Sequence, residues 1–158
     1  MSQTPLARLY ASPPRRIAAL AMLMVLAIML FLLAFGPGMV LGYRIFLIII
    51  GAAVLWTARG LHRGTQQGVD LYPSGLYLTD GTALALLDNI VGVERGTFAF
   101  KPSNGFVVKL ATAPGRDWAP GLYWIVGRRL GVGGVTSRAD AKFMAEALAM
   151  RLATVRRR

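Results

Sequence analysis

The chain has 158 residues, 55% of them apolar and 16% charged, against about 45–50% and about 25% in an ordinary soluble domain. Eighteen Lys and Arg outnumber seven Asp and Glu, and no acidic residue precedes Asp70, so the first part of the chain is purely basic and suits anionic lipid headgroups or nucleic acid. The absence of cysteine excludes disulfides, thiolate metal sites, iron–sulfur clusters, covalent haem attachment and thiol nucleophiles.

Residues 1–16 read as a basic tail in the cytoplasm. Pro13-Pro14 ends any upstream structure, and Arg15 and Arg16 stand at the edge of the apolar run that follows. Residues 17–35 carry no charge over nineteen positions. At about 1.5 Å per residue such a helix crosses a hydrocarbon core of about 30 Å. Gly36-Pro37-Gly38 breaks it. A second apolar run covers residues 40–58, with Arg44 near its start, where a long side chain snorkels to the surface beside Tyr43. Trp56, Arg59 and Arg63 supply the interfacial anchor at its other end. Residues 17–63 therefore predict a two-helix transmembrane hairpin. A cleaved signal peptide over residues 1–35 is the competing reading, but its apolar core exceeds the usual length of about 7–15 residues and no small-x-small cleavage site follows. Arg8, Arg15 and Arg16 precede the hairpin, Arg59 and Arg63 follow it, and only Arg44 lies in its connection. The excess of Lys and Arg on the cytoplasmic side of membrane proteins then puts both termini in the cytoplasm.

From residue 64 the pattern changes to short alternating runs divided by turn residues. Strands are expected over residues 69–72 and 76–78, then 82–87 after the Thr79-Asp80-Gly81 turn. A longer strand over 90–100 needs a bulge near Gly96 to put Val91 and Val93 on the same face as Phe98 and Phe100. Asn104-Gly105 supports a turn with positive φ. Residues 106–110, 122–126 and 129–135 complete about seven antiparallel strands. Ser137 and Asp140 resemble a capping box, with Thr136 a competing cap, at the start of an amphipathic helix over residues 138–155. Its apolar face consists of Phe143, Met144, Ala147, Leu148, Leu152 and Val155. The cations Arg156, Arg157 and Arg158 stand at its C-terminal end.

This order of elements resembles the pleckstrin-homology-like (PH-like) fold. The hairpin followed by such a domain is similar to bacterial membrane-anchored PH-domain proteins. The likeness rests on the element order, on Leu76-Tyr77-Leu78-Thr79-Asp80-Gly81 and on Val91-Gly92-Val93-Glu94. It implies a membrane α-helical hairpin plus an α+β domain, a seven-stranded antiparallel PH-like barrel capped by its C-terminal helix. It also implies a multi-pass protein of the bacterial inner (plasma) membrane with residues 64–158 on the cytoplasmic side. No ligand follows from it.

Catalytic residues are hard to assemble from this sequence. His62, the single histidine, lies between Arg59 and Arg63 and reads as a neutral imidazole at headgroup level; alone it holds neither a metal nor haem. Asp80, Asp88 and Asp117 fall at turns and loops, and Glu94 and Glu146 suit surface ion pairs. The run Gly127-Arg128-Arg129-Leu130-Gly131-Val132-Gly133-Gly134 lacks the Gly-Lys-Ser/Thr ending of a phosphate loop, so a twisted strand packed close to the last helix explains it better. No metal, catalytic or cofactor site is expected.

The basic residues carry the binding hypotheses. Lys101, Arg116, Arg128 and Arg129 fall in loops or at strand ends, where they would meet a lipid phosphate or merely solvate the domain. Trp118, Tyr123 and Trp124 cluster beside Pro120 and Gly121, as an interfacial belt or as core plus one exposed ring. A mixed aromatic and basic patch also suits single strands, but tethering to a membrane argues against nucleic acid. The leading reading is a non-enzymatic inner-membrane adaptor or accessory (assembly) subunit, in contact with membrane lipids and with a larger membrane-protein complex or its own copies. Gly42, Gly51 and Ala52-Ala53 supply the small residues that helix packing uses. An anionic-lipid-binding module is the second reading. A membrane-bound enzyme is the third, and it requires a constellation drawn from Asp80, Asp88, Asp117 or His62.

Overall fold

The computed structural model describes residues 4–94 and 102–156. Two long helices pack against each other as a hairpin. Helix α1 (Pro13–Ala34) and helix α2 (Leu41–Gly64) are about 33 and 36 Å long. Their mean hydropathies are 3.0 and 1.9, and both are long and apolar enough to cross a membrane. Pro13 and Pro14 begin α1 rather than separating it from what precedes. Proline is well placed in a first helical turn, where its missing N–H has no intrahelical partner in any case. Helix α2 runs six residues beyond the predicted end at residue 58, and its last turns bury Ala58 and Leu61.

The small residues of the hairpin divide. Gly51 is buried under the Phe31 ring, whose carbons stand 3.0–3.3 Å from where a Cβ would be. Gly42, Ala52 and Ala53 face outward. Arg44 lies at the turn end of the hairpin, where its Nε donates to Ala34 O at 3.1 Å. This pairs one of the carbonyls left open at the end of α1 and puts a cation on the negative end of that helix.

Nine strands are seen among the described residues, in two antiparallel sheets rather than one seven-stranded barrel. The first sheet has the order β1 (Ala7–Tyr10), β2 (Gly68–Tyr72), β3 (Gly75–Leu78), β4 (Ala83–Leu86). The second has the order β5 (Ile90–Glu94), β6 (Phe106–Leu110), β9 (Arg129–Val132), β8 (Tyr123–Val126), β7 (Asp117–Ala119). Both sheets are open, each with two edge strands, so the expected barrel is corrected to an α+β arrangement of two sheets and a C-terminal helix, α3 (Arg138–Arg156).

Two strands escape the sequence pattern. Strand β7 is only three residues long. Strand β1 lies in what reads as a basic tail, yet Ala7 and Leu9 are buried and pair with Leu71 and Val69. The polar positions of Ala-Arg-Leu-Tyr point outward, as the two-residue period of a strand requires. The hairpin is thus spliced between two paired strands: β1 leads into α1, and α2 leads back into β2. Ser12 N–H donates to Val135 O at 2.8 Å and Arg15 Nη1 to Thr136 O at 2.6 Å, which ties the base of the hairpin to the start of α3.

The core is one cluster between the two sheets, closed by α3. Met144, Leu148 and Leu152 of the predicted helical face are buried, with Ala141 and Ala145 beside them; Phe143 and Val155 instead face outward. Ser137 caps the helix, its Oγ accepting Asp140 N–H at 3.5 Å, while Thr136 is buried and its Oγ1 reaches Asn104 O. At Asp80, Oδ1 accepts Thr82 N–H, as the Asp-Gly turn predicts, and this bond holds the carboxyl below the usual carboxylate range. Asn104 has φ 53°. The described part of β5 carries a bulge between Ile90 and Gly92. The bulge expected near Gly96, Phe98 and Phe100, and with them Lys101, lie outside the described residues.

Candidate functional site

Strands β7, β8 and β9 build the most developed surface feature. Their register sets Trp118 opposite Trp124 and Trp124 opposite Gly131, so these three share the outer face of the second sheet. Val126 and Arg129 form the next row on that face. Tyr123, Ile125, Leu130 and Val132 take the alternate positions and enter the core. The glycine is required: a Cβ at Gly131 would fall inside the Trp124 indole, which lies over the bare backbone. A groove of about 710 Å³ results, lined by Arg116, Trp118, Trp124, Val126 and Arg129 together with Asp117 and Ile125.

Four of the residues singled out in the sequence, Arg116, Trp118, Trp124 and Arg129, therefore meet in one place. Arg128 lies in a neighbouring hollow of about 300 Å³ beside Lys109 and Val91, and Arg129 borders both. Trp118 is 66% exposed. Arg116 makes no ion pair or side-chain hydrogen bond among the described residues. The one carboxylate of the groove is engaged on both oxygens: Asp117 Oδ1 accepts Trp118 N–H at 2.8 Å and Oδ2 accepts the Tyr123 hydroxyl at 2.7 Å. Burial, reinforced by this bond to Asp117, raises the Tyr123 hydroxyl well above its ordinary pKa. Glu94 is held low by Lys109, whose Nζ stands 2.6 Å from Oε1, and it lies in the field of Arg129.

The groove stands beside the exit of the second long helix. Pro120 touches Gly60, Ala119 and Pro120 touch Gly64, and Gly121 touches Leu61 and Thr65. Trp56, 80% exposed, lies four residues before Gly60 and eight before Gly64, on the same helical stripe. Trp56 thus lies on the stripe of α2 that carries these contacts, about one to two turns nearer the connection of the hairpin. Of the other anchors, Arg59 and Arg63 are exposed, and Arg16 Nη2 lies 3.1 Å from His62 Nδ1, linking the two helices. His62 Nε2 lies 3.2 Å from Gln66 Nε2.

The glycine-rich run serves packing, though not against α3. Gly133 (φ 144°) lies against Gly105 and Gly134 (φ 128°) against Gly121, both closer than any side chain permits. Neither Asp80 nor Asp88 lines the groove: Asp80 sits in the β3–β4 turn, within the field of the Tyr123 hydroxyl, and Asp88 in the short helical turn that joins the two sheets. Among the described residues no three His, Asp or Glu are grouped as a metal site.

Two features were missed. One is the Asp117–Tyr123 bond, which no spacing announces. The other is Asp70, 4% exposed on the outer face of β2, with Arg8 Nε 3.9 Å from an Oδ1 that accepts no hydrogen bond. Recognising β1 would have found it, since Arg8 stands directly opposite Asp70. The chain matches no protein-family model, no curated protein and no solved structure.

Proposed function

We propose that this chain is a non-enzymatic adaptor or accessory subunit, anchored in a bacterial inner membrane by its hairpin and offering its α+β domain to other components at the cytoplasmic face. The observation that carries this reading is the splice. Because β1 and β2 pair directly and flank the hairpin, both ends of the hairpin lie on the domain's side, and the domain is clamped at its base instead of hanging from a linker. Arg8, Arg15, Arg16, Arg59 and Arg63 stand at that end and Arg44 at the other, the asymmetry that favours a cytoplasmic domain. The outward-facing Gly42, Ala52 and Ala53 leave small-residue surface for neighbouring spans. The strands that follow the hairpin and the single C-terminal helix after them are the support for a PH-like relationship.

Membrane extraction and partner capture test this. The full chain should resist alkaline carbonate, tags before Ala7 and after Arg158 should be protected together in intact cells, and mild detergent should release the chain with other membrane proteins. Reactivity of either tag from outside intact cells, or recovery as an isolated monomer alone, would refute the adaptor reading.

A further inference from the structure

We infer that the groove bordered by Arg116, Trp118, Trp124 and Arg129 holds the headgroup of an anionic phospholipid from the membrane in which the chain is anchored. The inference rests on the membrane-anchored reading above and adds an occupant to it.

Three features of the groove point the same way. Its charge suits a phosphate: two guanidinium groups border it, one of them without a partner among the described residues, and Arg128 lies in the adjoining hollow. Guanidinium forks match phosphate oxygens in pairs. The single carboxylate forms no ion pair with either arginine among the described residues; its oxygens accept from Trp118 N–H and the Tyr123 hydroxyl.

The second feature is amphipathy. Beside the arginines stand Trp118, Trp124 and Val126, which suit the glycerol and upper acyl carbons of a lipid better than they suit a free phosphate. The third is position. Trp118 lies two residues from Pro120, a distance of about 7 Å along a strand, and Pro120 touches Gly60 of α2. Exposed Trp56 and Arg59 precede this contact on α2 by about a turn and by one residue, a pair of the kind found in the aromatic and basic belt at a membrane surface. A lipid beside the last turns of α2 would therefore have the groove within reach. A second copy of the chain, or a protein segment added at the free edge of β7, would have to displace it.

The full chain in mild detergent is titrated with phosphatidylglycerol or with phosphatidylcholine, and bound lipid is counted by native mass spectrometry. Phosphatidylglycerol should bind more tightly. Arg116→Gln and Arg129→Gln should each weaken it about fivefold, and together about twenty-five-fold, with phosphatidylcholine little changed. Trp118→Ala should weaken both lipids. The double variant Arg138→Gln/Lys142→Gln removes the same charge from α3 and should leave phosphatidylglycerol binding as in the parent.

Equal binding of the two lipids by the parent chain overturns the inference. So does an equal loss in the α3 control, which would reduce the effect to general surface charge. Loss of a co-purifying protein or of self-association in Arg116→Gln/Arg129→Gln, without loss of lipid, also overturns it and assigns the groove to that partner. A chain that washes off membranes in carbonate instead fails the anchored reading itself, whereas a retained chain without lipid preference fails only this inference.

Discussion

Replacing Leu9 with Ala tests whether the first residues of the chain belong to the domain. Leu9 is fully buried on β1 and faces the core cluster opposite Val69. The substitution removes three carbons, worth about 2.4 kcal/mol at about 0.8 each, before the cavity left behind is counted. Leu→Ala changes in well-packed cores cost about 2–5 kcal/mol, a large share of the about 5–15 kcal/mol that holds an ordinary domain together. Leu6→Ala is the matched control. Its side chain is exposed, while its backbone N–H still donates to Leu71 O at 2.7 Å, so a change within about 0.5 kcal/mol is expected. Urea unfolding of the full chain in mild detergent, followed by tryptophan fluorescence and limited proteolysis, reads the difference. If both variants unfold at the parent's midpoint, residues 4–12 are a free tail and the spliced architecture is wrong.

Three further outcomes follow from packing and protonation. Gly131→Val should displace the Trp124 indole, shift its emission to the red and destabilise the domain by about 1–3 kcal/mol, measured by fluorescence and denaturation. Gly51→Val should push the Phe31 ring out of the hairpin interface and lower the thermal midpoint of the helices followed by circular dichroism in detergent. The folded chain holds the Tyr123 proton more tightly than the unfolded chain, whose tyrosine titrates near 10.0. The resulting stabilisation is complete below that pH and fades as pH rises through the higher folded value. Denaturation midpoints should therefore fall above pH 10 in the parent and fall less in Tyr123→Phe, which has no proton to lose.

Much of the architecture was legible because it depends on local pattern. Nineteen uncharged residues, an Asp-Gly turn, an Asn-Gly turn and a Ser cap each act over one short stretch, and the expected helices and strands are present with shifted ends, the strand over 90–100 as far as Glu94, where the described residues stop. Strand β1 was not legible. Four residues with two buried side chains carry too little pattern, and their partners are 64 and 60 positions away, Ala7 opposite Leu71 and Leu9 opposite Val69. Strand β7 failed for its length, and the missed Asp117–Tyr123 bond depends on how the edge of the second sheet folds back. The barrel was an expectation of likeness, and strand counting cannot separate a closed sheet from two open ones. Arg116 and Arg129 were singled out as cations in loops or at strand ends, and Trp118 and Trp124 as aromatics clustered beside Pro120 and Gly121. Cross-strand register and the missing Cβ of Gly131 are what bring them together.

The placement of the hairpin has a consequence for biogenesis. In the membrane-anchored reading, β1 precedes both long helices and its pairing partner β2 follows them, so their ladder closes only after both helices have crossed. A product with a single helix across the bilayer strands the two halves of that ladder on opposite sides, with Leu9 and Val69 uncovered. Such a chain cannot complete its sheet and stays open to proteases, so correct insertion and a closed fold are achieved together or not at all.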